Sequence, residues 1–558
     1  MFEKNEILEL QIEAIGSEGE GIAHVNGYTL FVKDTVPGDR IEAKVVKTGK
    51  NFGYARCERI IEPSPDRIEP VCPISKRCGG CQFQHLSYEA ELRFKQEKVF
   101  NCIKRIGGFK DEEIPMLPII GCEEIMHYRN KAQFPVGVDK NGETVTGFYA
   151  ERSHEIVDTT KCYIQVEENE LILETLKAFM KKYKIPAYEE KINPKTRKPE
   201  KAKGLVRHIM TRKGFATGEI GICVVINGNT LPNAAEFTDM MLKAFEGRSD
   251  VRITSICVNI NKKVTNVIFG DELKCIYGKP YIVDMIEDIK FKISPFSFYQ
   301  VNPAQTKKLY GKALEFAGLT GEEVVWDLYC GIGTISLFLA KKAKEVYGVE
   351  IVPAAVENAK ENAKLNGIEN AYFTVGKAED EAKKLPKPDV IVVDPPRKGC
   401  DEKLLETIMN YKPSRVVYVS CDPATLARDL KVLCGDGGYK LEEVQAVDQF
   451  SRGVHVEAIV LLSKLDSKKY ISVELPMDDM DLTSAESKAT YKKIQNYVLE
   501  KFGVRVSTLY IAQVKRKYGL EVREHYNISK NENQKVLQYP IEKEKAILDA
   551  LKYFHMIK

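Results

Sequence analysis

Two reactive side chains follow apolar stretches that have the composition of buried strands. Asp394 comes directly after VIVV, and Cys421 directly after RVVYVS. The carboxyl ends of parallel strands meet at one edge of an open α/β sheet, where such sheets bind ligands. A thiol at that edge can act as a nucleophile, whereas an isolated free cysteine is more often a packing residue. The neighbouring Asp394 favours the nucleophile.

A glycine-containing turn precedes both segments. The strand-like VVWDLY leads into the turn CGIGT at 330–334 and then into a helical pattern, which brings backbone amides close to a ligand. The next strand, EVYGVE, ends in Glu350, which can accept hydrogen bonds from the ribose hydroxyls of an adenosine-type cofactor. There are two alternatives: the turn could serve only to pack the helix, or it could belong to a dinucleotide-binding site. The third spaced glycine of the dinucleotide fingerprint is missing.

A cluster of cysteines lies nearer the N-terminus. Cys72, Cys78 and Cys81 supply thiolates close together in sequence, and the glycines at 79–80 let the backbone wrap closely around a bound group. A fourth ligand is needed for a complete site. The spacing by itself is compatible with a zinc ribbon or with an iron–sulfur cluster.

The surrounding sequence predicts the elements that position these residues. Apolar strand cores separated by helical stretches, from about residue 320 onward, indicate a parallel sheet covered by helices on both faces, which is an α/β fold. Near the N-terminus, apolar and polar positions alternate within short Val- and Ile-rich runs, which indicates a small β-barrel. The predicted domains are a barrel at 1–62, a central α+β domain with the cysteines at 63–290, the α/β domain at 291–464 and a helical extension at 465–558.

Composition limits the class of protein. The chain has 558 residues and a formal net charge of +3, so a polyanionic partner must be held by local basic patches. Its apolar runs are shorter than the roughly 20 residues that span a bilayer, so no membrane association is expected. The N-terminus MFEKNEILEL lacks signal-peptide features, which predicts a cytoplasmic location. Disulfides are disfavoured there, so the 14 cysteines indicate metal or nucleophilic chemistry.

Four motifs together resemble one enzyme family. They are SPFSFYQVN at 294–302, DLYCGIG at 327–333, DPPRKG at 394–399 and SCDP at 420–423. In order and spacing they are similar to the bacterial RNA uracil-C5 methyltransferases, specifically the 23S rRNA branch with a TRAM domain and an iron–sulfur cluster. The resemblance runs from the barrel, which is similar to an OB-like TRAM domain that binds RNA, to about Lys464. It implies a class I (Rossmann-like) methyltransferase sheet.

The resemblance also implies roles for individual residues. Cys421 would be the nucleophile, and Glu457 of the HVE motif at 455–457 would be the general base. The residues FSRGV before that motif differ from the family, which has a Pro- and Thr-containing turn there. The implied contacts of S-adenosylmethionine are Gln300, Tyr329, Glu350 and Asp394. The implied ligands of a 4Fe-4S cluster are Cys72, Cys78, Cys81 and Cys162.

The implied activity is formation of 5-methyluridine in 23S rRNA by a monomeric enzyme that flips the target base out of the RNA. Transfer RNA is the alternative substrate. An amino-group methyltransferase, or an RNA-binding protein with an inactive methyltransferase fold, would not explain Cys421 paired with Glu457. The basic stretch at 191–204 with Arg207, Arg212 and Lys213 could follow phosphates, or could be a solvated surface. The sequence assigns no role to the extension.

Overall fold

Two structural units make up the chain, residues 1–466 and residues 467–558. The structure is a computed structural model, and it describes residues 2–151, 153–192, 199–435, 437–465, 491–504, 506, 508–518, 541–554 and 556–557. Among these residues, no helix is both long and apolar enough to cross a membrane. Every site residue predicted from the sequence belongs to the first unit.

An alternation of buried and exposed positions builds the N-terminal sheet. Its strands β1–β6 are Ile7–Gln11, Ala14–Ile15, Gly21–Val25, Tyr28–Lys33, Arg40–Thr48 and Phe52–Glu62. They pair in the order β1-β5-β6-β4-β3-β2. On β5, Ile41, Ala43 and Val45 are buried and the residues between them reach solvent, because side chains along a strand alternate between its faces. The sheet thus has a hydrophobic core of its own.

The segment that follows this sheet passes through the first cysteines into a helix. Helix α1 (Tyr88–Cys102) begins after Ser87, whose hydroxyl accepts a hydrogen bond from the backbone N–H of Ala90 at 3.3 Å. A π-helical turn, Ile103–Gly107, continues from α1, and strand β7 (Met116–Ile120) comes next. This segment therefore links the cysteines to the rest of the first unit.

A second sheet occupies the middle of the chain. Its strands are β8 (Lys131–Val138), β9 (Thr144–Tyr149), β10 (Ile156–Asp158), β13 (Val206–Lys213), β14 (Glu219–Ile226), β15 (Arg252–Ile260) and β16 (Glu272–Gly278). A separate hairpin is formed by β11 (Glu189–Ile192) and β12 (Pro199–Lys203), while the helices are α2 (Glu168–Lys182) and α3 (Ala234–Ala244). The strand order is β10-β9-β8-β13-β14-β15-β16. Phe179 and Phe237 of the helices join the sheet's core. The ends of the predicted basic loop form the hairpin, and its residues 193–198 lie outside the described residues.

The third sheet carries the predicted site. Its region contains strands β17 (Ile282–Ile286), β18 (Ile289–Ile293), β19 (Val324–Leu328), β20 (Glu345–Glu350), β21 (Ala371–Val375), β22 (Val390–Val393), β23 (Arg415–Ser420), β24 (Tyr439–Val447) and β25 (Glu457–Lys464). Its helices are α4 (Pro303–Ala317), α5 (Thr334–Ala340), α6 (Pro353–Leu365), α7 (Ala378–Glu381), α8 (Glu402–Tyr411) and α9 (Pro423–Gly435). The order is β21-β20-β19-β22-β23-β25-β24-β7, with β17 and β18 as a separate pair. The strands from β21 to β23 are parallel, and β25 is antiparallel to β23 and β24. This arrangement confirms the predicted α/β sheet, and the full burial of β22 reflects helices on both faces.

One strand reaches this sheet from outside the predicted α/β domain. Strand β7 pairs in parallel with β24, and Ile103 and Ile114 join the core beneath the sheet. The region 63–290, predicted as one central domain, therefore contributes strands to both the second and the third sheet. Pairing with β7 gives β24 a hydrogen-bonded neighbour on each side and makes β7 the edge strand of the third sheet.

The second unit contains helices. They are α10 (Tyr491–Phe502), α11 (Thr508–Lys517) and α12 (Ile541–Tyr553). Ile494, Ile511 and Ile547, one from each helix, are buried in a shared core. The sequence also predicts a helix that begins near Ser484 and a helix cap at Ser507, and both residues lie outside the described residues.

Candidate active site

Strand pairing brings Cys421 and Glu457 to the same edge of the sheet. Strands β23 and β25 are antiparallel, and their last paired residues at this end are Ser420 and Ala458. Cys421 is the next residue after Ser420, and Glu457 is the residue just before Ala458. Glu457 is buried, with 2% of its surface exposed, and Cys421 is half-buried. The thiol and the carboxyl group therefore belong to adjacent strand ends.

A cavity of about 680 Å³ opens at this edge. It is lined by all the residues that the sequence assigned to catalysis and cofactor binding, namely Gln300, Tyr329, Glu350, Asp394, Cys421 and Glu457. Their elements are far apart in sequence. Tyr329, Glu350, Asp394 and Cys421 lie at or just after the carboxyl ends of parallel strands, Gln300 lies just before α4, and Glu457 begins the antiparallel strand β25. The structure thus gathers the predicted set, while the role of each residue remains a proposal.

The glycine turn forms one wall of this cavity. Tyr329 and Gly331 have positive φ angles of 75° and 56°, so the chain makes a left-handed turn directly after β19. The backbone N–H groups of Tyr329 and Cys330 donate to the carbonyl of Val349 at 3.0 and 3.1 Å. A Cβ placed on Gly331 would meet no heavy atom within 4 Å. The backbone at Gly331 is thus left open to a ligand.

Glu350 is held beside this turn by backbone donors. Its carboxylate accepts hydrogen bonds from Gly331 N–H at 3.2 Å and from Val352 N–H at 2.9 Å. Below it, Ser336 donates a hydrogen bond to the buried Asp327, which fixes the start of α5 against β19. These bonds orient Glu350 toward the cavity, where an acidic group can accept hydrogen bonds from the ribose of an adenosine.

Burial controls the ionisation of the reactive groups. It raises the pKa of Glu457 to about 8 and that of Asp394 to about 7, and each carboxylate gains a smaller increase from another negative group. Burial also raises the pKa of the Cys421 thiol to about 11, with further increases from Glu457 and Asp394. Arg397 lowers both the pKa of Cys421 and the pKa of Glu457. Burial therefore favours the protonated forms of Glu457, Asp394 and Cys421, and the charge of Arg397 opposes this effect at Glu457 and Cys421.

Several further side chains line the cavity without having been singled out from the sequence, among them an aromatic ring and a guanidinium group. Phe298 is 70% exposed, and Arg397 is also exposed at the mouth. Both belong to motifs quoted above, SPFSFYQVN and DPPRKG. The signal that could have identified them is their residue type. An exposed aromatic ring such as Phe298 can stack on a nucleobase, and a cation such as Arg397 can bind its phosphate.

The predicted cysteines meet at a separate cavity of about 190 Å³. Its lining includes Cys72, Cys78, Cys81 and Cys162. Burial raises the pKa of Cys81 to about 12 and that of Cys162 to about 11. The backbone N–H of Gly80 donates to the sulfur of Cys78 at 3.4 Å. Within the part of the chain that the structure describes, no group of His, Cys, Asp or Glu is arranged to hold a metal ion.

Two of the arginines proposed to follow phosphates are placed elsewhere. Arg207 and Arg212 are each 3% exposed, and their guanidinium groups donate to backbone carbonyls. Arg207 binds the carbonyls of Asn261 and Lys263, each at 2.8 Å. The hypothesis that these two arginines contact RNA phosphates is therefore wrong, because both guanidinium groups are buried and donate to backbone carbonyls instead.

Comparison with family models identifies three segments. The TRAM domain matches residues 2–57, the methyltransferase small domain matches 307–411, and the tRNA (uracil-5-)-methyltransferase matches 384–465. The last match contains Asp394, Cys421 and Glu457. The N-terminal sheet is thus a TRAM domain, and the third sheet has the Rossmann-like class I methyltransferase fold.

Whole-chain relatives agree with these segments. The chain is 51% identical over 466 residues to an uncharacterized RNA methyltransferase of Halalkalibacterium halodurans, covering 82% of this chain and 97% of the relative. It is 49% identical over 468 residues to another from Clostridium acetobutylicum, covering 83% and 98%. The solved Pyrococcus abyssi tRNA (uracil-54, C5)-methyltransferase, in complex with S-adenosyl-L-homocysteine, is 28% identical with a TM-score of 0.64, covering 82% of this chain and all of that one. The chain belongs to the family of S-adenosylmethionine-dependent RNA (uracil-C5) methyltransferases.

Proposed function

We propose that this enzyme methylates C5 of a uridine in 23S rRNA, with Cys421 as nucleophile and Glu457 as general base. The observation that supports these roles is the placement of both side chains on one cavity, at adjacent ends of β23 and β25. A base flipped out of the RNA could enter that cavity between them. Phe298 at the mouth offers a surface for stacking.

The reaction needs a nucleophile because uracil C5 by itself attacks alkyl groups poorly. The Cys421 thiolate adds to C6, and the electron pair of the C5–C6 double bond moves toward C5 and the neighbouring carbonyl. Arg397 favours the thiolate, since its charge lowers the pKa of Cys421. C5 then forms a bond to the methyl group of S-adenosylmethionine, and the bond between that methyl group and the sulfonium sulfur breaks. Covalent addition thus creates the carbon nucleophile.

Release of the product requires removal of the C5 proton. Glu457 is the proposed acceptor, because it lines the same cavity as Cys421 and lies at the adjacent strand end. When the proton moves to its carboxylate, the C5–H electron pair re-forms the C5–C6 double bond and the bond between C6 and the sulfur of Cys421 breaks. The enzyme returns to its starting state after Glu457 loses that proton to solvent.

S-adenosylmethionine supplies the electrophilic methyl group. Gln300, Tyr329, Glu350 and Asp394 are the residues proposed to hold it. The open space over Gly331 and the orientation of Glu350 fit this assignment, because an adenosine needs both close backbone approach and an acceptor for its hydroxyls. Asp394 lies between this wall of the cavity and Cys421, so it could also contact the uracil edge.

We also propose that the cysteine-lined cavity holds a structural 4Fe-4S cluster. The thiols of Cys72, Cys78, Cys81 and Cys162 surround a space larger than one metal ion occupies, and thiolates are the usual ligands of such clusters. Zinc is the alternative. Anaerobic reconstitution followed by iron, sulfide and zinc analysis distinguishes them. About four irons and four sulfides per chain, lost in Cys162→Ala, would support the cluster; one zinc per chain would refute it.

The choice of RNA has two candidates. The TRAM domain together with the cysteine set favours 23S rRNA through the resemblance described above, whereas the structural relative from Pyrococcus abyssi is a tRNA methyltransferase. The test is incubation of the purified enzyme with methyl-labelled S-adenosylmethionine and either unmodified 23S rRNA or unmodified tRNA, followed by nucleoside analysis. Labelled 5-methyluridine from 23S rRNA supports the proposal, label only in tRNA changes the substrate, and no labelled 5-methyluridine from either refutes it.

A further inference from the structure

The loop that precedes Glu457 is fastened by an unusual number of buried polar groups. Residues 448–456, here called the base loop, connect β24 to β25, so Glu457 follows this loop directly. The base loop contains the residues FSRGV, where the sequence differs from the turn of the family it resembles. Glu457 is the first residue of β25 to pair with β24, opposite Val447, so the base loop determines how the strand that carries the proposed general base begins.

Lys95 of α1 fixes the first half of the base loop. Its ammonium group is fully buried and donates to Asp448 Oδ1 at 2.6 Å, to Glu91 Oε1 at 2.6 Å and to the carbonyl of Phe450 at 3.0 Å. Burial disfavours its charge, but attraction to Glu91 and Asp448 keeps the pKa of Lys95 above its usual value. The hydroxyl of Tyr88 also donates to Asp448, at 2.7 Å. Helix α1 thus anchors the loop at Asp448.

Arg452 fixes the second half. It is 5% exposed, and its Nη1 donates to the carbonyls of Leu86 at 2.8 Å and Phe83 at 3.3 Å. Its backbone N–H donates to Glu91 Oε1 at 2.8 Å, and its own carbonyl accepts from the N–H groups of Gln82 and Phe83 at 2.9 and 3.0 Å. Both its backbone and its side chain therefore hold the segment 82–91, which begins directly after Cys81.

The conformation of Arg452 is itself informative. Its φ angle is +69°, in the left-handed region that non-glycine residues seldom adopt. Such a conformation persists when surrounding contacts impose it. Next to it, Lys98 donates to the carbonyls of Val454 at 3.0 Å and of Ser17, in the TRAM domain, at 3.2 Å. The loop is thus held between α1, the segment after Cys81 and the TRAM domain.

We propose that Arg452 is a positioning residue for proton removal: it fastens the base loop to the segment after Cys81 and so sets the place of the Glu457 carboxylate. This inference rests on the proposed role of Glu457. A planar guanidinium group that donates to two fixed carbonyls restricts the loop to one conformation, because its hydrogen bonds are directional and apolar packing is not. Arg452 lies five residues before Glu457 in the chain. Its proposed effect on Glu457 acts through the base loop and does not require Arg452 to contact the RNA.

The test separates proton removal from the earlier steps. In Arg452→Gly the side chain is lost, but the left-handed backbone remains favourable, because glycine adopts it readily. Arg452→Lys keeps the charge and loses the planar fork. The matched control is Arg207→Lys, since Arg207 is also buried and donates to backbone carbonyls, but lies in the second sheet. Each variant is incubated with unmodified 23S rRNA and labelled S-adenosylmethionine, and the denaturation-resistant enzyme–RNA adduct and free methylated RNA are measured over time.

Arg452→Gly should form the methylated adduct at close to the wild-type rate and release it about 10- to 100-fold more slowly, as expected for a displaced catalytic group. Arg452→Lys should show the same effect more weakly, and Arg207→Lys should show none. Release at the wild-type rate in Arg452→Gly would overturn the inference, as would an equal fall in adduct formation and release accompanied by a lower melting temperature, which indicates general destabilisation.

The variant Glu457→Gln distinguishes a failure of the proposed role of Arg452 from a failure of the proposed role of Glu457. If it accumulates the methylated adduct and Arg452→Gly does not, the role of Arg452 is wrong and the role of Glu457 stands. If Glu457→Gln also releases RNA normally, Glu457 is not the base and the inference falls with it. Should unmodified 23S rRNA not be a substrate, the same comparison is made with unmodified tRNA.

Discussion

The thiol of Cys421 and the carboxyl group of Glu457 lie one residue beyond the same strand pair, Ser420 with Ala458. The position of Cys421 is fixed by the strand that precedes it, because β23 is paired with a strand on each side. Strand pairing thus places a potential nucleophile and a potential proton acceptor on one cavity. Substitution of either residue, and a change of pH, should therefore affect separate steps of the reaction.

Replacing Cys421 by Ala should reduce methyl transfer by about 10⁴-fold or more, because no covalent addition to C6 can occur. The measurement is labelled methyl transfer to unmodified 23S rRNA, with S-adenosylmethionine binding measured in parallel. Binding should remain. The matched control is Cys434→Ala, which removes a half-buried thiol from α9. Activity retained in Cys421→Ala would contradict the covalent mechanism.

Release of the methylated adduct should become faster as pH rises through about 8. Only ionised Glu457 can accept the C5 proton, and burial raises its pKa to about 8, so the active form is the minor one at pH 7. The measurement is single-turnover release between pH 6 and pH 9. A release rate that does not change with pH would argue against Glu457 as the base.

Glu457→Gln should stabilise the fold, and more so at higher pH. The pKa of Glu457 rises from 4.5 to about 8 on folding, so folding favours its protonated form. The unfolded chain releases this proton first, and stability is lost as pH increases from about 4.5 to about 8. Glutamine removes that loss. We expect a gain of about 2–4 kcal/mol in the free energy of unfolding at pH 8.5, and little gain at pH 5. Equal gains at both pH values would contradict the effect of burial.

Glu350→Gln should weaken S-adenosylmethionine binding by about 10- to 100-fold, the loss expected for hydrogen bonds to a charged group. Calorimetry gives the dissociation constant. Glu345→Gln is the matched control, because Glu345 lies on the same strand, β20, at its other end. Weakening in both variants by the same factor would indicate that β20 is disturbed rather than that Glu350 contacts the cofactor.

The sequence predicts which residues meet at this edge of the third sheet because the edge is built from local patterns. The buried run VIVV and the turn CGIGT each specify an element, and parallel strands place their carboxyl ends together. Asp394, Cys421 and Glu350 were therefore found from their positions after strands. Gln300 and Glu457 needed the family resemblance, since no local pattern brings residues 300 and 457 to the same cavity.

Other features could not be predicted because they depend on distant contacts. Strand β7 has a short apolar sequence that gives no indication of its partner β24. Arg207, Arg212 and Arg452 belong to a residue type that is usually exposed, and only the folded chain provides the carbonyls that bind them. Burial of a cation is a property of its surroundings, which one sequence does not display.

The pairing of β7 with β24 has a consequence for the order in which the enzyme matures. Residues 116 and 444 must meet before this edge of the sheet is complete, and Glu457 follows later still. During synthesis the N-terminal part emerges first, so the TRAM domain can fold while β7 still lacks its partner. The chain therefore cannot complete the cavity that holds Cys421 and Glu457 until β25 has left the ribosome that makes it, and a product truncated before residue 457 would lack the proposed general base.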